Sequence, residues 1–339
     1  MAVTAGYEIT WAARQYGDRV AVKFDDQSLS FDEVNRRGNR LANTLIELGL
    51  NQNHRVGVIL NNSLETLDIV VGVAKAGVSH LALNARYPAA EHRKVLEDAE
   101  PTIIIAGPEF TDVIQEAVKG LDCVKAVYGI ESSDSGQINI LDLRPAADDK
   151  EPKVKVELND TMRLHYTSGT TGKPKGIIVT YQNYYARLNN FYTALDYGLG
   201  VSDSMLHVGP LTHAAGNYLM PFLIRGACNV IMPRFEPIEM QAIIERKRIT
   251  TLLLVPTMLI RLLEDLDLER FDLSSIKRIY YGTAPMPIDV LRRGIKAFGP
   301  IFYEHYGLSE CAQPATMLYP HEHVLEGPEE KVRRLASCG

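Results

Sequence analysis

Tyr166-Thr-Ser-Gly-Thr-Thr-Gly-Lys-Pro-Lys-Gly176 packs the hydroxyls of Ser168, Thr170 and Thr171 between Gly169, Gly172 and Gly176, with Lys173 and Lys175 close behind. Glycines let a backbone fold tightly enough for its amides to converge on an anion, hydroxyls add donors, and lysine adds compensating charge. The chemistry suits a polyphosphate. It is not the P-loop, whose pattern needs four residues between its glycines and a Lys-Ser or Lys-Thr ending, nor the dinucleotide fingerprint. Gly169 and Gly172 enclose two residues. The local alternative for a Gly-Thr-Lys cluster is a plain turn between strands.

Outward from this loop the chain alternates helix and strand. Ser30-Phe-Asp-Glu33 is a capping box, and Val34, Leu41, Leu45 and Leu48 share one face of the helix that it opens. Gly49 supplies the left-handed residue that ends it, before a strand-length apolar run over 55 to 60. Ser63 caps a second helix with Leu64, Leu67, Val70, Val71 and Ala74 at helical spacing, closed by Gly77 ahead of a strand over 78 to 83. Helices are expected over 89 to 99 and 111 to 118, and strands over 102 to 106 and 124 to 127. Residues 131 to 153 carry no period and read as an exposed connection. Beyond the loop, helices are expected over 185 to 195, 237 to 247 and 258 to 266, with strands over 229 to 232, 251 to 255 and 276 to 281. Alternation of helices with fully apolar strands indicates an α/β fold, with parallel or mixed sheets covered by helices on both faces.

A length of 339 residues implies two or more packed subdomains. A net charge of -6 offers no bulk attraction to nucleic acid or anionic membranes, so no nucleic-acid partner is expected. Cys123, Cys228, Cys311 and Cys338 lie far apart without a Cys-x-x-Cys pair and read as reduced residues of a cytoplasmic protein. The start does not resemble a secretory signal. The most apolar stretch, 249 to 260, falls well short of the roughly 20 residues that cross a bilayer, and no membrane span is expected.

Taken with two later segments, the loop places the chain in a family. The 166 to 176 run resembles the signature loop of the adenylate-forming superfamily: acyl- and aryl-CoA synthetases, peptide-synthetase adenylation domains and firefly-type luciferases. The resemblance covers nearly the whole chain, including 27 to 34 and Val73-Ala-Lys-Ala-Gly77, and the pattern is closest to acyl- or aryl-CoA synthetases. Tyr306-Gly-Leu-Ser-Glu310, preceded by Tyr281-Gly-Thr-Ala-Pro285, resembles the family's Tyr-Gly-x-Thr-Glu motif, with serine keeping the hydroxyl. The resemblance implies that Thr167, Ser168, Gly169, Thr170, Thr171, Gly172 and Lys175 hold the ATP phosphates. It implies that Gly282, Thr283 and Ala284 line the adenine, with Tyr306 and Gly307 at the base and Tyr306 stacked on it. Ser309 donates to the α-phosphate and Glu310 holds Mg²⁺. A divalent ion answers a physical need, since a carboxylate attacking a phosphate drives like charges together. The alternative for Glu310 is a solvated loop carboxylate.

Pro210-Leu-Thr-His-Ala-Ala-Gly-Asn217 resembles the segment entering the family's acyl pocket, with His213 beside the reacting carboxylate and Ala214, Gly216, Asn217 and Tyr218 along the wall. A histidine neutral near pH 7 can turn next to a carboxylate without fixing a charge there, and a satisfied structural histidine is its competitor. Asn217 and Tyr218 can bond a polar substituent or serve structurally. His207 and His305 are expected in ordinary packing or surface roles. Peptide-synthetase domains place a Phe-Asp pair here to hold an α-amine, where this chain has Thr212-His213. A buried unpaired ammonium is costly, so a non-amino acid is expected, fatty or aromatic.

The fold implied is two packed αβα layered sheets of the family's large domain. One αβ subdomain spans roughly 50–195, the second combines 1–49 with 196–310, and 311–339 begins a third, barrel-like subdomain. The family's later Thr-Gly-Asp motif and its small C-terminal domain with an adenylation lysine are absent, so the chain reads as truncated and as inactive or weakly active alone. The expected reaction is ATP-dependent formation of acyl-AMP, then transfer to a thiol, coenzyme A or a carrier protein. The reading of another class is a non-catalytic nucleotide- or acid-binding module, and luciferase-like oxidation is a minor third.

Overall fold

The computed structural model of the chain describes residues 2–4, 6–131, 137–143, 148–167, 174–195, 198–212, 215–311 and 313–339. In chain order the strands begin with β1 (Ala2–Thr4), β2 (Val20–Phe24), β3 (Gln27–Ser30), β4 (Arg55–Ile59), β5 (Ser79–Ala82), β6 (Ile103–Ala106) and β7 (Ala126–Tyr128). They continue with β8 (Lys155–Glu157), β9 (Thr161–Thr167), β10 (Lys175–Thr180), β11 (Ser204–His207), β12 (Cys228–Ile231), β13 (Thr251–Leu254), β14 (Arg278–Gly282), β15 (Phe302–Tyr306) and β16 (Thr316–Leu318). The first helices are α1 (Tyr7–Tyr16), α2 (Phe31–Glu47), α3 (Leu64–Lys75), α4 (Ala89–Ala99), α5 (Thr111–Val118) and α6 (Tyr181–Ala194). The rest are α7 (Gly216–Ile224), α8 (Pro237–Lys247), α9 (Pro256–Glu264), α10 (Ile288–Phe298) and α11 (Glu329–Val332).

Two large sheets form. One has six strands in the order β10-β9-β5-β4-β6-β7, and the other has eight in the order β16-β15-β14-β13-β11-β12-β2-β3. Central strands pair in parallel, whereas β10, β3 and β16 join antiparallel at the edges. Every residue of β5, β6, β11, β13 and β14 is buried, the pattern of strands covered on both faces. Within 311 to 339, β16 joins the edge of the eight-stranded sheet and short helical turns follow.

Local chemistry sets the helix starts. Ser30 accepts from the Glu33 amide at 3.1 Å while Glu33 accepts from the Ser30 amide at 2.7 Å, and Ser63 caps α3. Helix α6 starts at Tyr181, earlier than its apolar period indicates, because Thr180 and Asn183 form a reciprocal cap. The connection expected to be exposed over 131 to 153 is partly docked. Ile140 is buried, and Glu151 accepts from the buried Lys75 ammonium at 2.8 Å and from Asn35 at 2.6 Å. Lys75 also donates to Thr10 at 2.7 Å, so one buried cation ties α1, α3 and this connection together.

Helices α2 and α3 pack with almost no space between backbones. A Cβ placed on Gly72 would sit 2.6 Å from the Leu41 side chain, and one on Gly38 would sit 2.2 Å from Val71. Because well-packed cores resist added volume, Gly72→Val is expected to lower the unfolding free energy by about 1–3 kcal/mol. Urea denaturation checks this, and an unchanged midpoint would show that the interface relaxes freely.

Candidate active site

Parallel strands β14 and β15 end side by side, with Gly282 paired to His305. The carboxyl ends of such strands are where open α/β sheets receive ligands. A side chain at Gly282 is excluded twice: φ is 153°, and a Cβ would lie 2.4 Å from the His305 carbonyl oxygen. Thr283 follows in the left-handed region at φ 66°, so the chain turns sharply and leaves Thr283 and Ala284 exposed. Beside them Tyr306 keeps 43% of its surface exposed at the end of its strand. An open aromatic face next to a small-residue turn has the shape and surface to stack a flat heterocycle. Gly307 lies against the Gln313 side chain, and Ser309 and Glu310 stand exposed on the turn beyond.

The segment expected to hold phosphates joins β9 and β10, whose last pair is Thr167 with Lys175. Both residues are exposed at the mouth of that hairpin, and Ser168, Gly169, Thr170, Thr171, Gly172 and Lys173 lie outside the described residues. Tyr166, just before the loop, donates its hydroxyl to Asp98 on α4.

Between the sheets lies a mostly apolar cavity of about 110 Å³. That is several times the ~10–15 Å³ one water needs. Gly216, Asn217 and Tyr218 line it, whereas His213 and Ala214 lie outside the described residues. Tyr218 is fixed by three contacts: its ring stacks on Tyr280 at 5.4 Å, meets Phe191 edge-on at 5.7 Å, and its hydroxyl lies 3.0 Å from His305 Nε2. His305 therefore faces the cavity, a placement beyond the packing role its sequence position indicates. Burial holds its imidazole down at about 4, so it is neutral at pH 7. His207 is buried and packs with its Nε2 2.7 Å from Asn229.

The sequence reading passed over the cavity's cations. Arg163 on β9 and Arg187 on α6 both line it. Arg163 donates Nη2 to the Thr212 carbonyl, and Arg187 donates Nη1 to Asn217 Oδ1 at 2.8 Å. Each is half-buried, the open surface being that of the cavity wall. Burial and the neighbouring Arg187 charge push Arg163 down to about 9, still protonated at neutral pH. The available signal was an arginine within a strand leading into the phosphate loop, and a second one a turn of helix from Tyr184. Glu8 lines the cavity as well; burial raises its carboxyl, and the Tyr185 hydroxyl bonds it.

The AMP-binding enzyme family profile matches residues 9–339. A medium/long-chain-fatty-acid CoA ligase of Mycobacterium tuberculosis, FadD8, is 30% identical over 98% of this chain and 58% of its own length. A 2-succinylbenzoate CoA ligase of Bacillus pumilus is 30% identical over 95% of this chain and 60% of its own length. The chain thus spans less than two thirds of either relative. The o-succinylbenzoate CoA synthetase of Bacillus subtilis, solved with its acyl-adenylate intermediate, superposes with a TM-score of 0.83 at 26% identity, covering 100% of this chain and 81% of that one. Among the described residues no helix is long and apolar enough to cross a membrane.

Buried titrating groups on these strands give opposite pH signs. His207 and His305 drop from an ordinary 6.5 to about 4, so their contribution is full above about 6.5 and is lost as pH falls through 4. Burial raises Glu304 from 4.5 to about 7, so its contribution is present below 4.5 and lost as pH rises through 7. The melting temperature of Glu304→Gln relative to wild type is therefore expected to climb between pH 4.5 and 7, then level off. Differential scanning calorimetry across that range reads it, and a flat difference would place Glu304 in an ordinary setting.

Proposed function

The chain belongs to the AMP-binding enzyme family, and from that premise we propose that it carries the nucleotide and acid sites of an enzyme that converts a non-amino carboxylic acid to its acyl-adenylate and passes the acyl group to coenzyme A. One observation carries the proposal. His305 and Tyr306 are neighbours on β15, the first buried against the acid cavity and the second exposed beside the Gly282–Ala284 turn. Successive strand residues point to opposite faces. In this reading one strand end therefore borders both reactants.

In this reading ATP lies with its base between Tyr306 and the 282 to 284 turn, Gly307 giving the backbone room. Its phosphates lie in the 167 to 176 loop with Lys175. A carboxylate oxygen of the acid forms a bond to the α-phosphorus as the bond to pyrophosphate breaks, with Ser309 donating to the α-phosphate. The thiol sulfur then bonds to the acyl carbon, AMP leaves, and the thiol proton is released. His213 adjoins the carboxylate as a group that carries no fixed charge. Glu310, an exposed single carboxylate, fits Mg²⁺, which takes one or two carboxylates together with substrate phosphates. When bound, the ion would neutralise charge on the phosphates. The cavity's arginines oppose an ammonium group, which supports a non-amino acid as substrate.

Two variants test the assignment. Lys175→Ala is expected to weaken ATP binding by the chain on the order of tenfold, the scale of one charged hydrogen bond. Glu310→Gln in the native-length protein is expected to cut acid-dependent exchange of pyrophosphate into ATP by roughly 10² or more, typical of losing one preorganised charge-stabilising group. Wild-type calorimetric affinity in the first, or near-wild-type exchange at limiting Mg²⁺ in the second, would remove that residue from the site.

A further inference from the structure

Several cations that this chain buries or half-buries are met by a carboxylate, whereas half-buried Arg55 and Arg292 donate to the Ala99 and Leu325 carbonyls. Arg37 donates to both oxygens of the buried Asp68 at 2.8 and 2.7 Å, Lys75 meets Glu151 at 2.8 Å, and Arg278 meets Asp203 at 3.1 Å. Arg163 and Arg187 stand apart in sharing one cavity. Among the described residues neither has a carboxylate within ion-pair range, and what each feels most after burial differs: Arg163 is pushed down by Arg187, while Arg187 is raised by Tyr184. Glu8, on the same cavity, is engaged by Tyr185 and Lys75 and does not reach the arginines.

Their hydrogen bonds point the same way. Among the described residues, those formed use Nη2 of Arg163 and Nη1 of Arg187, on a backbone carbonyl and a neutral amide. Buried Nε of Arg163 has no partner. A guanidinium carries five N–H donors in a fixed fork matched to a carboxylate. Two such forks beside one cavity, with like charges opposing each other and, among the described residues, no carboxylate paired to either, form a receptor whose missing component is an anion.

The anion is not the group that reacts. Holding the attacking carboxylate against two guanidiniums would stabilise the ground state and blunt its nucleophilicity. Resting on the adenylation reading above, we infer that the substrate is a dicarboxylic acid, one carboxylate attacking ATP beside β15 and the other held in the cavity by Arg163 and Arg187. Asn217 acts as a positioning residue, since its Oδ1 orients the Arg187 fork. The remaining wall, with Val70, Ala74, Met220 and Phe191, packs a short aliphatic or aromatic spacer.

The test uses pyrophosphate exchange by the native-length protein with matched pairs: hexanoate against hexanedioate, and 3-phenylpropanoate against 3-(4-carboxyphenyl)propanoate. In at least one pair the diacid is expected to have the higher kcat/KM, by about tenfold or more and chiefly through KM, as fits one charge-assisted contact. Arg187→Met should shrink that ratio by a similar factor, and Arg187→Lys should restore part of it. A structural role would lower both acids of a pair alike and leave the ratio unmoved, which overturns the inference. Calorimetric binding of hexanedioate to the 339-residue chain, with and without Arg187→Met, reads the same contact without turnover. Exchange with monoacids alone removes the inference and leaves adenylation standing. Exchange with no acid in the panel removes both.

Discussion

The pairing of Gly282 with His305 is the constraint on which the site depends. Parallel strands β14 and β15 stay in register to this last pair, where a Cβ would overlap the neighbouring carbonyl. Without a side chain there, β15 can close against β14, and the chain can enter the left-handed turn at Thr283. The same closeness sets His305 into the cavity and leaves Tyr306 outside. The two rings face opposite sides because the strand alternates, and they are held because the strand pairs on both edges.

Around that pair the interior is organised by aromatic contacts rather than by ions. Tyr280 bonds the Leu195 carbonyl at 3.1 Å, stacks with Tyr218 and meets Tyr303 edge-on, so the wall of the cavity is braced from α6 to β15. Such rings fill volume, and their hydroxyls satisfy buried acceptors without net charge. Against this neutral lining the arginines stand out. In a low-dielectric setting their repulsion is weakly screened, and the fold sustains it because Thr212 and Asn217 each take one donor.

What the sequence disclosed follows from how local each signal is. The capping box at Ser30, the cap at Ser63, the glycines at 49 and 77 and the apolar runs of β4 to β6 depend on a few neighbouring residues, and the elements they predict are present. The docking of β2 on β12 and of 148 to 153 depends on partners far along the chain. Glu151 pairs with Lys75 across a separation that no short-range period encodes. The site divides in the same manner. Motifs fixed by backbone chemistry, such as Gly282-Thr283 and Tyr306-Gly307, could be read directly. The convergence of Arg163 with Arg187 could not, because it arises only when β9 of one sheet meets α6 and α7 over the cavity.

The shared strand also has a consequence for selectivity. On the proposed reading, a ligand that lies along the cavity is anchored at one end by groups on β9 and α6, and at the other must present a carboxylate beyond β15, beside the proposed nucleotide slot. Both ends belong to sheet strands or a helix packed on them, not to loops, so the separation between them is fixed by sheet packing. Interiors this well packed adjust poorly to even one methylene. An acid too short to span that distance leaves either its reacting group or its tail unmet, and a longer one must bend within an apolar wall. On that reading, discrimination among acids comes from length and terminal charge together. That combination gives steeper discrimination than an apolar pocket alone, where one methylene changes selectivity by only about 1–3 kcal/mol.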